Sequence, residues 1–255
     1  QDTIRIGITH GDINGIGYEV ILKTLSDPRI LEMCTPVVYG SPKVAAYHRK
    51  ALDINDVSFN HIRSTKELLP KKANIINCVD ENIRVELGKS TTEAGVSSFE
   101  ALDRATNDLQ KGYIDALITA PINKDNIQSE EFNFPGHTEF LAQKFDTKDY
   151  AMLMVSESLK IGVVTTHIPI SKVSESLSKE VILSKIRIIA KSLQQDFAIT
   201  KPRIAVFGLN PHAGDNGLIG KEDKEIILPA VIQAKKEGIM AFGPYPADGF
   251  FGSED

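Results

Sequence analysis

The sequence predicts an α/β protein with a largely parallel sheet, because short strand-like segments alternate with helical patterns along the chain. In the first segment Ile4, Ile6 and Ile8 alternate with Arg5 and Gly7, which is the two-residue period of a strand. Farther along, apolar residues recur at steps of four, three and four, which is the period of an amphipathic helix. These residues are Ile182, Ile186, Ile189 and Leu193.

The first half of the chain contains five such elements. The strand at 4–8 is followed by a helix over 16–25, whose apolar face carries Val20, Ile21, Leu22 and Leu25. Val37 and Val38 mark a second strand over 35–40. Phe99, Leu102 and Leu109 lie near helical spacing over 93–111, and Gly112 is a typical C-terminal stop. The apolar segment 115–120 is a short strand of the buried type.

The second half continues the alternation. Branched aliphatic residues predict strands over 161–166 and 203–208, and a helix lies between them. A last helix is predicted over 222–238, where Gly238 ends it. We find no internal repeat or linker, and a polar segment at 128–134 marks a possible domain boundary near residue 130.

Composition excludes several classes of protein. The chain has 255 residues, 25% charged and 42% hydrophobic, which is the composition of a globular protein. A net charge of −5 without a basic run argues against nucleic-acid binding, and no apolar stretch is long enough to span a membrane. Two cysteines, Cys34 and Cys78, suit a reducing cytoplasm rather than a disulfide framework.

Histidines follow the predicted strands or lie in polar turns. In open α/β sheets ligands bind beyond the carboxyl ends of the strands. Four of the six histidines occupy such positions: His10, His137, His167 and His212. His167 and His212 are candidate ligands of a divalent metal ion, and the alternative is that both merely form hydrogen bonds within their loops.

Besides the four histidines, Thr138, Lys124 and Asp248 are candidate substrate-binding or catalytic residues. His137 and Thr138 open a predicted helix, where backbone N–H groups suit a phosphate or carboxylate. Alternatively, Thr138 only caps that helix and His137 is a solvated turn residue. Lys124 either contacts a substrate anion or is solvated, and Asp248 is a candidate metal ligand or base or else a turn residue. The glycine-rich loops match neither the dinucleotide-binding fingerprint nor the phosphate-binding loop of nucleotide hydrolases.

Six segments in this order resemble the 4-hydroxythreonine-4-phosphate dehydrogenase family of pyridoxal phosphate biosynthesis. They are Gly11–Glu19, Ala120–Lys124, Pro135–Ala142, Thr165–Pro169, Leu209–Gly214 and Gly243–Asp248. The first segment has Ile13 and Tyr18 where the family usually has prolines. The resemblance implies two α/β/α lobes flanking a cleft, as in isocitrate and isopropylmalate dehydrogenases, with residues 1–130 in the first lobe and 131–255 in the second.

The resemblance also implies roles for particular residues. His137 and Thr138 match the substrate-binding pair, and His167 and His212 match two of three metal-binding histidines. The family's third histidine and the C-terminal part of its fold would lie beyond Asp255, so we expect the segment Gly249–Asp255 to be an internal stretch of a longer chain. The family forms homodimers whose active site lies at the interface.

The implied reaction is the NAD- or NADP-dependent oxidation of 4-phosphooxy-L-threonine, a small phosphorylated amino acid. A divalent ion (Zn, Mg or Co) would polarise the hydroxyl oxygen, and the keto product would lose CO2. Two alternatives remain open at this point. One is a related metal-dependent dehydrogenase of another hydroxy acid, and the other is a truncated homologue that only binds ligands.

Overall fold

The computed structural model describes residues 3–252, and the end of the predicted internal stretch, residues 253–255, lies outside them. The chain divides into two compact units, the first extending to Asp146 and the second beginning at Thr147. The lobe boundary near residue 130 stays a prediction. Among the described residues, no helix combines the length and apolar character that crossing a membrane requires.

The first unit contains a five-stranded sheet in which every pairing is parallel. Its strand order is β3-β4-β2-β1-β5. The strands are β1 Ile4–Thr9, β2 Cys34–Gly40, β3 Asn60–Ile62, β4 Asn74–Asn77 and β5 Ala116–Thr119. The predicted α/β class is therefore confirmed, and so are the strands predicted near residues 4, 35 and 115.

Five helices accompany this sheet: α1 Gly17–Leu25, α2 Pro28–Met33, α3 Pro42–Ala51, α4 Thr92–Gln110 and α5 His137–Lys144. Side-chain oxygens of Asp27, Ser41 and Thr91 accept backbone N–H bonds at the starts of α2, α3 and α4. Gly112 follows α4 with φ of +68°, as its predicted role as a stop signal requires.

Side chains of each strand alternate between the two faces of the sheet, and both faces are buried along β2. Strand β5 lies at an edge and is partly exposed, with Ile118 at 52%, so the expectation that it is of the buried type is wrong. Along β2, Val38 packs in the cluster that contains Tyr18 and Leu22 of α1. Its neighbours Val37 and Tyr39 pack on the other face, against Ala101 and Ala105 of α4. The sheet and its helices therefore form one rigid base that positions the loops at its carboxyl edge.

The second unit contains two pairs of strands. Strands β6 Met152–Val155 and β7 Lys160–Val163 are antiparallel, whereas β8 Arg203–Phe207 and β9 Met240–Tyr245 are parallel. Its helices are α6 Lys179–Gln195, α7 Leu228–Lys236 and α8 Ala247–Phe250. Apolar residues of α6 and α7 pack together, including Ile182, Ile186 and Val231.

Two predicted elements differ from the structure. The strand expected over 161–166 ends at Val163. The helix expected over 222–238 begins with a π-helical turn, Asp223–Ile227, before α7 continues to Lys236. Pro229 lies where the two segments meet, and its missing N–H interrupts the regular hydrogen-bond ladder there.

Candidate functional site

His10 lies in the core of the first unit rather than in an open site. Its ring is 0% exposed and packs against Tyr18, whose ring in turn stacks on His48. His10 Nε2 lies 3.1 Å from the carbonyl oxygen of Ser97. Burial lowers the pKa of His10 to about 4, so the ring is neutral at physiological pH. This histidine therefore supports the structure of the loop and is not exposed for substrate binding.

The loop after β1 holds neighbouring segments together. Asn14 donates to the carbonyl of Lys89 and to the hydroxyl of Thr91, and its side-chain oxygen accepts the N–H of Glu86. Asp12 N–H donates to the carbonyl of Pro121, which ties the loops after β1 and β5. Hydrogen bonds from the segment Gly11–Glu19 therefore fix the loops at the carboxyl edge of the sheet.

His137 and Thr138 occupy the first two positions of α5, after Gly136. No side chain caps this helix, so the view that Thr138 is only a cap is wrong. His137 is half-buried rather than solvated, and burial lowers its pKa, with the charge of Lys124 adding to the effect. Within residues 3–252 its buried Nε2 atom has no hydrogen-bond partner.

This arrangement suits an anionic ligand. A neutral imidazole whose buried Nε2 has no partner within residues 3–252 can bond to substrate, and the backbone N–H groups at a helix start attract negative charge. Lys124 is exposed and close enough to influence His137 electrostatically. The three predicted substrate residues thus belong to one part of the first unit.

His212 and Asp248 are brought together in the second unit. His212 Nδ1 lies 2.7 Å from Asp248 Oδ2, and the backbone N–H of His212 donates to Asp248 Oδ1 at 3.3 Å. A neutral ring that donates Nδ1–H keeps its lone pair on Nε2. Carboxylates commonly orient metal-binding histidines in this way.

The backbone at both candidate metal ligands is unusual. His167 and His212 each have φ of +54°, in the left-handed region that side chains avoid. His212 begins a run of six residues with positive φ that ends at Gly217. Such conformations persist only where surrounding contacts enforce them, and they concentrate at functional sites.

Two acidic residues that the sequence analysis missed lie beneath this run. Asp223 is 1% exposed and accepts hydrogen bonds from the segment Leu209–Asn210. Glu222 accepts bonds from Ser174 and Asn210, which lower its pKa to about 2. In the sequence both residues look like ordinary solvated charges at the start of a helix, and only the structure shows that they accept hydrogen bonds from neighbouring loops.

The second unit contains side chains of the chemical type that binds divalent transition-metal ions. His167 and His212 offer imidazole nitrogens, and Asp248 holds one of the rings. Within residues 3–252 no group of three or more His, Cys, Asp or Glu side chains is arranged to hold one ion. The assignment of His167 and His212 as metal ligands therefore stays a prediction.

A separate cavity of about 620 Å³ lies beside the start of α4 in the first unit. Its lining includes the carboxylates Asp80, Glu86, Glu93 and Glu100. Burial and the charge of Asp80 raise the pKa of Glu100. The lining also contains Arg84, and Glu86 is paired with Lys89, so this cavity carries charges of both signs and does not by itself identify a nicotinamide site.

The chain matches the family model of the pyridoxal phosphate biosynthetic protein PdxA over residues 32–255. A 4-hydroxythreonine-4-phosphate dehydrogenase of Bacteroides thetaiotaomicron is 50% identical over 254 residues, 99% of this chain and 70% of that protein. A putative D-threonate 4-phosphate dehydrogenase of Oceanobacillus iheyensis is 38% identical, over 96% of this chain and 75% of the relative.

Solved structures agree with these relatives. The crystal structure of a 4-hydroxythreonine-4-phosphate dehydrogenase from Klebsiella pneumoniae matches with a TM-score of 0.86 at 32% identity. That match covers 98% of this chain and 76% of the other. The fold and the order of segments are therefore similar along nearly the whole chain.

Proposed function

Because this chain belongs to the pyridoxal phosphate biosynthetic protein PdxA family and is an oxidoreductase, we propose that it oxidises 4-phosphooxy-L-threonine with NAD or NADP. The carbon that bears the 3-hydroxyl loses a hydride to the nicotinamide, and the hydroxyl loses its proton. The product, 2-amino-3-oxo-4-phosphooxybutanoate, is a β-keto acid. Its carboxylate leaves as CO2, the ketone takes up the electron pair as an enolate, and protonation of the enolate carbon from solvent gives 3-amino-2-oxopropyl phosphate for pyridoxine 5'-phosphate synthesis.

The observation that carries this proposal is the 50% identity to the Bacteroides thetaiotaomicron enzyme across nearly the entire chain. The second unit does not contradict a metal-dependent reaction, since His167 and His212 are nitrogen donors suited to Zn or Co. Mg is a less natural partner for imidazole. When bound, a divalent ion supplies Lewis-acid polarisation of a substrate oxygen.

Residues of this chain bind the substrate and orient a candidate metal ligand. His137 and Thr138 bind the substrate at the start of α5, and Lys124 contributes positive charge. Asp248 orients the ring of His212 through Nδ1. A role for Asp248 as the general base is less favoured, because both of its carboxylate oxygens engage His212.

A second candidate substrate is D-threonate 4-phosphate, which the Oceanobacillus iheyensis relative is named for. It keeps the phosphate and replaces the 2-amino group by a hydroxyl. The lower identity, 38% against 50%, makes it the weaker candidate. Dehydrogenation of an unphosphorylated hydroxy acid is the remaining alternative.

We further propose that the protein works in the cytoplasm as a homodimer. Cys34 and Cys78 are both free thiols, as a reducing compartment favours. The homodimer follows from the family resemblance, and the molar mass of the purified protein in light scattering tests it.

The requirement for a phosphate group on the substrate is tested by following NAD(P) reduction with phosphorylated and with unphosphorylated 4-hydroxythreonine. We expect kcat/KM to fall by at least a hundredfold without the phosphate, because the helix terminus and Lys124 lose their anionic partner. Equal turnover of both compounds would exclude the proposed substrate class.

A further inference from the structure

Glu222 connects the two loops that carry the candidate metal ligands. Its Oε1 accepts the hydroxyl of Ser174 at 2.6 Å, and its Oε2 accepts Asn210 Nδ2 at 2.9 Å. Ser174 lies seven residues after His167, and Asn210 lies two residues before His212. One carboxylate therefore joins both loops through charge-assisted hydrogen bonds.

Asp223 binds the loop that carries His212 through several hydrogen bonds. Its carboxylate accepts the N–H of Leu209 at 2.7 Å, and both the N–H and the Nδ2 of Asn210, at 3.3 and 2.8 Å. A methyl group on Gly208 would come within 2.6 Å of Asp223 Oδ1, and one on Gly214 within 3.0 Å of Asp223 Oδ2. Glycine at both positions lets the loop lie directly on the carboxylate.

The loop needs this support. The left-handed region is unfavourable for residues other than glycine, and four of the six residues from His212 to Gly217 are not glycine. A free loop would relax into other conformations and would carry the imidazole with it. Hydrogen bonds that fix Leu209 and Asn210 define where the left-handed run begins.

We propose that Glu222 and Asp223 form a carboxylate clamp that positions His167 and His212 for a shared divalent ion. This inference rests on the proposed metal-dependent function. Neither carboxylate touches the ion in this account, so both are positioning residues. Glu222 sets the spacing between the two loops, and Asp223 fixes the path of the loop before His212.

The experiment titrates Co²⁺ into the metal-free full-length protein and records both the dissociation constant and the Co²⁺ absorption spectrum. Glu222→Gln keeps the shape of the side chain but places an N–H₂ donor against the donor groups of Ser174 or Asn210. We expect Co²⁺ to bind about 10- to 100-fold more weakly, as for other residues that orient metal ligands. The ligand-field bands should also shift, which a change in global stability alone would not produce.

Matched variants separate the clamp from general charge effects. Glu225→Gln removes the same charge from an exposed position two residues past Asp223 and should leave Co²⁺ affinity and activity unchanged. Ser174→Ala, at an exposed position, should weaken Co²⁺ binding severalfold, whereas Ser174→Thr keeps the hydroxyl and should restore it. The serine pair tests the proposal even if Glu222→Gln folds poorly.

Each result has one meaning. Unaltered Co²⁺ affinity and spectrum in both Glu222→Gln and Ser174→Ala would overturn the clamp while leaving the metal-dependent reaction intact. An equal loss in Glu225→Gln would overturn it as well. A wild-type protein that binds no Co²⁺, Zn²⁺ or Mg²⁺ would instead remove the metal from the proposed function, and the clamp with it.

Discussion

The contact between His212 and Asp248 fixes the orientation of an exposed histidine side chain. The His212 side chain is 68% exposed, and a histidine at that exposure is usually mobile. Here the carboxylate holds both the ring and the backbone N–H of the same residue. The unused Nε2 is therefore presented in one orientation, as a metal ligand must be.

We expect His167→Ala and His212→Ala, made separately in the full-length protein, to abolish bound metal and to reduce kcat/KM by at least a thousandfold. Both side chains are exposed, so the folded state should survive. Metal content and circular dichroism measure the two effects. Full activity in either variant would refute the assignment of that histidine.

His10 predicts an acid-dependent loss of stability. Its pKa falls from about 6.5 in the unfolded chain to about 4 in the core, so only the unfolded state takes up a proton between these values. The contribution of His10 is complete above pH 6.5 and declines by up to about 3 kcal/mol as the pH falls to 4.

Urea unfolding of wild type and His10→Gln across this pH range measures the effect. Glutamine retains a donor for the Ser97 carbonyl but does not titrate, so the free energy of unfolding should depend less on pH in the variant. Identical pH dependence in the two proteins would show that His10 is not the neutral buried group described above.

Among the elements, α4 depends on one glycine for its position. A Cβ at Gly95 would overlap the carbonyl of Asn126, so the helix and the segment after β5 touch backbone to backbone. Replacing an interior helix glycine by alanine normally stabilises a helix by about 1 kcal/mol. Here the clash reverses the sign.

Gly95→Ala should lower the free energy of unfolding by about 1–3 kcal/mol, the range for overpacked sites. Thr92→Ala, on an exposed position of the same helix, serves as the control and should change stability by less than about 0.5 kcal/mol. A stabilised Gly95→Ala protein would show that the close approach is not rigid.

Sequence periodicity was sufficient for most elements but not for the site. Strand and helix alternation predicted β1, β2, β5, α1, α4 and α6 within a few residues of their observed bounds, because burial of one face fixes the period. It did not predict the π-helical turn at Asp223–Ile227, since that depends on how a proline interrupts a local hydrogen-bond ladder.

The histidines show the same limit at the level of single side chains. Position after a strand suggested His10 and His212 equally, yet one is 0% exposed in the core and the other faces solvent beside Asp248. Glu222 and Asp223 gave no signal, because acidic residues at the start of a helix are ordinary. Their partners come from loops 12 to 48 residues away in the chain.

At the scale of the whole molecule, the proposed phosphorylated substrate is consistent with the family membership and with the charges of the first unit. The first unit offers a helix terminus with a histidine of lowered pKa and a nearby lysine, and in the second Asp248 holds the imidazole of His212. Within the family, the group at carbon 2 of the substrate separates the two named activities, and 4-phosphooxy-L-threonine is the proposed substrate.

The substrate assignment is tested by kcat/KM of the full-length protein for 4-phosphooxy-L-threonine and for D-threonate 4-phosphate, measured as NAD(P)H formation together with CO2 release. We expect at least a tenfold preference for 4-phosphooxy-L-threonine, with one CO2 released per NAD(P)H formed. Preference for D-threonate 4-phosphate, or no turnover of either compound in the presence of Zn²⁺, Mg²⁺ or Co²⁺, would contradict it.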